Sequence, residues 1–426
     1  MPEFPRLEHD LKTDVLIIGG GLAGILCAYH LAQDGVDYTL IEADRITGGV
    51  SRNTTAKITS QHGLIYGKLI REFDKDTARL YWEANEAALR QYQELAQSMG
   101  CDFEIKDSYI YSLDCRSALE AELSALEQIH IPAEFTKPSH LPFQTAGAIR
   151  FANQAQFHPL KFVSRIAKGL NIYENTTARE FVETTVLTDA CKITAKKIIV
   201  ATHFPFLNKH GNYFLKLYQE RSYVLALENT ADVKGMYLNE AKGGLSLRNY
   251  GDLLLLGGGS HRTGKSGHGW AGLEHIAKTY YPDAKTVARW ATQDCISLDG
   301  IPYIGQYSPQ TPNLFVATGF NKWGMTSSMM AGMVLCDLVQ GRENRYSEIF
   351  SPSRTVLRKQ LFINGLETTK NLLRFSKPRC PHLGCALQWN RQEHSWDCPC
   401  HGSRFTEEGK LLDNPATADM KEHRSP

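Results

Sequence analysis

The sequence predicts an α/β protein with a small all-β appendage near its carboxyl end. Three observations carry that expectation. The apolar run TDVLII (13–18) opens directly into a glycine-rich turn, a helical stretch and a second apolar run. Further short apolar runs, such as KKIIVAT (196–202), alternate with stretches of helical periodicity, the pattern of strands buried between helices. Lastly, four cysteines gather with His382 and His401 in one short stretch, while the other six of the ten cysteines are scattered.

Bulk composition narrows the class. A chain of 426 residues suits two domains, or one large domain with an appendage. Hydrophobic content of 42% and charged content of 22% are those of an ordinary globular protein. With a net charge of +1 there is no electrostatic case for nucleic acid or an anionic membrane as partner. The opening MPEFPRLEHDLKTD lacks the basic and apolar regions of a secretory signal. No run approaches the roughly 20 apolar residues that span a bilayer. A cytoplasmic protein is expected, in which Cys27, Cys101, Cys115, Cys191, Cys295 and Cys336 stay reduced.

The first element is a nucleotide site. TDVLII runs into Gly19-Gly-Gly21-Leu22-Ala23-Gly24, then ILCAYHLAQDG, a helix ending at Gly35, then VDYTLIE with Glu42 at its end. A lone GxGxxG says little; strand, glycines, helix, strand and terminal acid in this order say much more. Gly19 allows the tight turn, Gly21 lets backbone approach a pyrophosphate, and Gly24 lets helix and strand pack closely. The helix amino end offers N–H donors to phosphates. Glu42 suits a ribose and repels a 2′-phosphate, which favours FAD or NAD over NADP. A second glycine loop follows at Gly48-Gly49-Val-Ser51, typical of flavoproteins. The only other candidate nucleotide turn, LLLLGGGSHRTG (253–264), has Gly257 and Gly259 but Arg262 at the third glycine position, and reads as strand and turn.

With DGIPYIG (299–305) and NLFVATGFNKWGMTSS (313–328), these segments resemble the FAD-dependent amine and amino-acid oxidoreductases that include D-amino acid, glycine and sarcosine oxidases. The resemblance spans residues 12–345. It implies a Rossmann-like FAD-binding domain, in parts at 12–60, 145–203 and 295–345, with an interleaved mixed-sheet substrate domain between them. It places Gly19, Gly21, Leu22, Ala23, Gly24, Glu42, Gly49, Ser51, Thr55 and Ala56 at FAD, together with Ala201 and Thr202. Lys57 matches a basic residue beside the flavin ring. Gly324, Met325 and Thr326 match a helix start whose dipole stabilises negative charge on reduced flavin.

The middle of the chain reads as scaffold. Helical stretches at 74–99 and 116–129, the latter with Leu119, Leu123, Leu126 and Ile129 on one face, are structural, and His62 and His158 read as satisfied polar residues. In RWATQDCISLDGIP the position of the relatives' carboxylate-clamping arginine holds Asp294, which suits an ammonium, or equally a loop-capping role. Lys57, Tyr223, Phe204, Trp290 and Trp323 complete the pocket candidates.

The carboxyl-terminal stretch offers Cys380-x-His382 and Cys398-x-x-His401, a ligand set open to zinc or to an iron–sulfur cluster. Zinc ribbons open with CxxC; CxH…CxxH resembles the Rieske pattern, two cysteines on one iron and two histidines on the other of a [2Fe–2S] cluster. That resemblance further implies a disulfide between Cys385 and Cys400, the alternative being two free thiols. It matches Ser403 to a hydroxyl donor that raises the cluster potential, and puts Phe405 where high-potential members have tyrosine. NPAT (414–417) partly matches the family's proline loop. The expected layout is an oxidoreductase over 1–345, a tether helix over 346–378 and a reduced Rieske domain over 379–426.

Together these readings predict an enzyme that oxidises a small amine-like substrate at FAD. Electrons would leave singly through the cluster to an acceptor protein or a quinone-like acceptor. A redox sensor or carrier without its own substrate, and an NAD(P)H-driven reductase, are the alternatives.

Overall fold

The structure is a computed structural model that describes residues 1–354, 358–374 and 378–420. Its first sheet is built on β1 (Leu11–Ile18), which lies parallel to β2 (Tyr38–Ile41) on one side and to the Lys192–Val200 strand on the other. The Leu314–Thr318 strand extends the parallel run beyond Lys192–Val200. Ile17, Ile18, Leu40, Ile41, Ile199 and Val200 are buried, as strands covered on both faces require. The α1 helix (Leu22–Gln33) crosses from β1 to β2 and packs against the Gly324–Val339 helix. Three distant stretches of sequence therefore build one sheet.

The second sheet has eight strands and takes its members from residues 108–151 and 217–297. Next to its edge strand Lys285–Ser297, Leu217–Glu228 runs antiparallel to both that strand and Leu253–Arg262. The Leu253–Arg262 run is thus a strand of this sheet, not the start of a second nucleotide fold. The Gly147–Phe151 strand also pairs here, so the second FAD-binding stretch, expected from 145, contributes to the first sheet only from Ile172 onwards. The helices Lys75–Gln97, capped by Asp74 through Thr77 N–H, and Arg116–Gln128 pack outside the sheets.

The carboxyl-terminal unit is a four-stranded antiparallel meander of two or three residues per strand, from Gln388–Asn390 to Leu411–Asp413. So small a unit buries little apolar surface of its own. Its core is Leu387, Phe405 and Ala416 around the four cysteines. It leans instead on the second sheet. Glu393 accepts from Arg221 and from Arg404, Arg262 donates to the Pro399 and Cys400 carbonyls, and Gln293 donates to Gly402. The expected tether holds two helices, Ser347–Phe350 and Lys359–Leu372.

Arg354 anchors the start of that tether. It forms a two-point ion pair with Asp299 of the DGIP turn, at 2.7 and 2.9 Å, with Asp299 1% exposed. Removing the cation leaves a buried carboxylate alone. Arg354→Met should cost about 3–5 kcal/mol, read as a lowered midpoint in urea unfolding.

Candidate active site and metal centre

A cavity of about 1170 Å³ runs between the two large sheets. One end is lined by Gly19, Gly21, Glu42, Gly49 and Ser51, the other by Lys57, Tyr223, Ser246, Asp294 and Trp323. Leu22, Ala23, Thr55, Ala201, Thr202, Gly324 and Met325 also reach it. Gly24 does not: a Cβ there would lie 1.9 Å from the Gly19 carbonyl oxygen, so its role is to let α1 sit against the turn. Ala56 and Thr326 are buried behind the lining, Thr326 beside His62 Nε2 at 3.2 Å.

The dinucleotide end has the right donors and acceptors. The amino end of α1 opens at the cavity without a side-chain cap from Gly21, and Leu22 N–H donates to Ser51 Oγ at 2.9 Å. Glu42 is fixed by the Gly20 and Asp44 N–H groups at 2.7 and 3.0 Å. Burial raises its pKa while those donors oppose the shift. A helix amino end for phosphates with a fixed acid beside it for ribose fits FAD.

At the other end the charges are unevenly matched. Lys57 bonds to Ser246 Oγ, and burial, with Arg248 adding, brings its ammonium down to about 7. Lys322 pairs with Glu220 at 2.9 Å, and Lys242 reaches the same carboxylate at 3.2 Å. Burial opposes ionisation of Glu220, but the two lysines hold it down at about 2. Across the strand pair from Glu220 lies Asp294, which no hydrogen bond or ion pair reaches among the described residues. Burial pushes Asp294 up to about 6, against the pull of Lys322. Trp323 stacks on His62 at 4.6 Å between centroids, and His62 is held by Tyr81 Oη and the Thr59 carbonyl, both at 2.7 Å. His158 caps a helix through Lys161 N–H.

Two pocket candidates lie elsewhere. Trp290 gives its indole N–H to the Asn53 carbonyl and stays outside the cavity lining. Phe204 is fully buried with its ring edge-on to His382 and His401. The sequence reading missed Glu220, Lys242 and Lys322; Lys322 stands just before the Gly324 helix, the one signal that marked it.

The second site is made by two matching turns. Cys380 N–H donates to the Cys385 carbonyl and Gly384 N–H to the Cys380 carbonyl, both at 2.9 Å. In the facing turn, Cys398 N–H donates to Ser403 and Gly402 N–H to Cys398, at 2.8 and 2.9 Å. Gly384 and Gly402 both have φ in the left-handed region, +75° and +89°, where a side chain is strained. The turns bring His382 and His401 to 5.0 Å between ring centroids and place Cys380 and Cys398 within hydrogen-bonding reach of each other. Cys385 and Cys400 stand at disulfide distance, which removes both as thiolate ligands although they lie close to Cys398. His382 Nδ1 and both ring nitrogens of His401 are buried without partners. Burial, with His401 adding, brings His382 down to about 3, so it is a neutral imidazole as ligation requires. Two thiols facing two imidazoles, each with a buried ring nitrogen left free to ligate, fit a Rieske cluster. Ser403 Oγ is in reach of Cys380, and His382 Nε2 meets Asn208 Oδ1 at 3.0 Å. The Asn208 contact was not legible, because it comes from a distant loop.

Comparison with known proteins decides the family. Residues 14–338 match the FAD dependent oxidoreductases, and residues 341–424 match the Rieske [2Fe-2S] domain. The chain belongs to the FAD-dependent oxidoreductase family. This oxidoreductase takes FAD and, in its Rieske domain, a [2Fe–2S] cluster. It is 34% identical to the Rieske 2Fe-2S iron-sulfur protein YhfW of Bacillus subtilis (strain 168), over 99% of this chain and 95% of that protein. The gamma-glutamylputrescine oxidoreductase of Escherichia coli (strain K12) is 23% identical over 80% of this chain and 87% of its own length. Glycine oxidase from Geobacillus kaustophilus shares the fold, with a TM-score of 0.69 at 20% identity over 81% of this chain and all of that one. No helix among the described residues is long and apolar enough to cross a membrane.

The oxidoreductase should lose its flavin if the turn at Gly24 is blocked. Gly24→Val purified beside the parent is expected to show no flavin absorption bands and no FAD uptake on titration, with the Rieske EPR signal kept.

Proposed function

We propose that this chain oxidises a small cationic amine at FAD and sends the electrons out singly through its Rieske cluster to a separate acceptor. Bound FAD would take two electrons from a substrate C–H bond and release them one at a time, which suits a one-electron centre. The observation that carries the amine reading is Asp294. It is a cavity-facing carboxylate with no partner among the described residues, in a pocket whose lysine Lys322 is already paired with Glu220. An ammonium would find its counter-charge there. The relative named for gamma-glutamylputrescine, a compound carrying an amine, supports the same class.

The remaining residues have stated tasks. Glu42, Ser51 and the α1 amino end would hold the dinucleotide, and Gly324 and Met325 would bring a helix amino end to the flavin ring. Cys380, Cys398, His382 and His401 would hold the cluster. The geometry supports a short path between the two centres, because alternate residues of one strand pair serve both. Gln219 and Gln293 face the cluster turns through the His401 and Gly402 carbonyls, while Thr292 and Asp294 face the cavity.

Anaerobic stopped-flow mixing with gamma-glutamylputrescine or a simple diamine tests this reading. Flavin bleaching followed by a rhombic, low-average-g EPR signal is expected, and bleaching by NADH but not by amines would replace it with the reductase alternative. The rate constant kcat/KM should fall as pH drops through about 6, where Asp294 takes up its proton. Asp294→Asn should lower it about 100-fold, the scale of a broken buried charge pair at about 3 kcal/mol, and abolish that acid limb.

The cluster potential is expected to lie below that of respiratory Rieske proteins. Ser403 supplies one hydroxyl, but Phe405, buried in the same small core, supplies none. Phe405→Tyr should raise the midpoint by about 40 mV, the one-electron equivalent of a hydrogen bond worth ~1 kcal/mol. A redox titration followed by circular dichroism reads it, and an unchanged midpoint defeats the argument.

A further inference from the structure

The flavin-side sheets do not close the cavity by themselves. Leu412, Asn414, Ala416, Thr417 and Asp419, all from the Rieske segment, line it together with Glu42, Asp44 and Thr177 at the dinucleotide end. The contact is bonded as well as packed. Asn414 Nδ2 donates to the Thr202 carbonyl at 2.6 Å and to the Phe204 carbonyl at 3.0 Å. Arg179 Nη1 donates to the Thr417 carbonyl at 3.0 Å.

The other side of the same loop belongs to the cluster. Ala416 N–H donates to Ser403 Oγ at 3.0 Å, and Ser403 Oγ lies in reach of Cys380. Ala416 itself packs in the core that holds Cys380 and Cys398. The Asn414 carbonyl accepts from Gln219 Nε2 at 3.0 Å, the same amide that holds the His401 carbonyl at 2.8 Å. One short loop is thus tied on one face to the Thr202 and Phe204 carbonyls beside the cavity and on the other, directly and through Gln219, to the cluster turn at Cys398–Ser403.

We propose that residues 411–419 are part of the FAD site, so that FAD and the [2Fe–2S] cluster each strengthen binding of the other. The inference rests on the assignment of this cavity to FAD made above. Its physical basis is that one loop must be ordered for both sites. Whichever group binds first orders the backbone at 414–417, and the second then binds without bearing that entropy. Coupling of this kind is reciprocal, and coupled sites typically change each other's affinity by about 5- to 150-fold.

The test is an FAD titration of flavin-depleted full-length protein, followed by quenching of flavin fluorescence. It is run on the cluster-loaded chain and on the cluster-free double variant Cys380→Ser/Cys398→Ser. The dissociation constant for FAD is expected to rise about tenfold without the cluster. In the cluster-loaded chain Asn414→Ala should weaken FAD by a similar factor while the Rieske EPR g values stay as in the parent. Arg179→Met touches no cluster ligand and should weaken FAD to a lesser degree, which keeps the test open if the serine variant does not fold. Dissociation constants equal within twofold across these proteins would overturn the coupling. Retention of FAD by Gly24→Val would instead overturn the cavity assignment, and the proposal with it.

Discussion

Glu393 holds the two halves of this protein in register. Its carboxylate lies between Arg221 of the second sheet and Arg404 of the cluster unit, and all three side chains are less than a tenth exposed. Tyr223 adds a hydroxyl at 3.1 Å, and Arg404 continues to Asp397 and Asp413. Burial opposes the charge on Glu393, yet Arg221 and Arg404 keep its pKa below the usual range. Charges taken this far from water are tolerable only when each finds its partner in one geometry. The network therefore specifies a single docking arrangement where a unit with so small an apolar core would otherwise have several.

That arrangement turns the Leu217–Glu228 and Lys285–Ser297 pair into a partition with a different chemistry on each face. A strand alternates its side chains, so neighbouring residues in sequence look into different compartments. Gln293 donates to the Gly402 carbonyl of the cluster turn and Asp294 lines the cavity; Gln219 holds the His401 carbonyl, and Glu220 anchors the lysines at the cavity. Along that strand pair one sheet lies between the cavity and the cluster turns, and the loop at 411–419 touches both.

Much of this was legible because it is local. The glycine turn, the acid at the end of β2 and the CxH…CxxH spacing each lie within one loop or one βαβ unit, where backbone geometry alone restricts the residue type. The paired turns at Gly384 and Gly402 are the clearest case, since each is fixed by hydrogen bonds within six residues. What the sequence hid are pairings between distant stretches. Nothing near Glu220 announces Lys322, and nothing near His382 announces Asn208. Phe204 and Trp290 show the same limit from the other side. Phe204 follows and Trp290 sits within a strand that builds the pocket, and only the path of the following loop or the reach of one indole decides that the pocket is not what each faces.

The interleaving of three stretches into the first sheet has a consequence for how the protein is made. During synthesis β1 has only β2 beside it until Lys192–Val200 has emerged to cover its other edge, and that strand waits again for Leu314–Thr318. Most of the sheet's pairing is therefore long-range in sequence, which slows assembly and leaves apolar edges unprotected for longer. The wall at 411–419 leaves the ribosome after every element it touches. Until then the cavity lacks the lining that 411–419 supplies, so the growing chain presents its dinucleotide end more open than the finished one does.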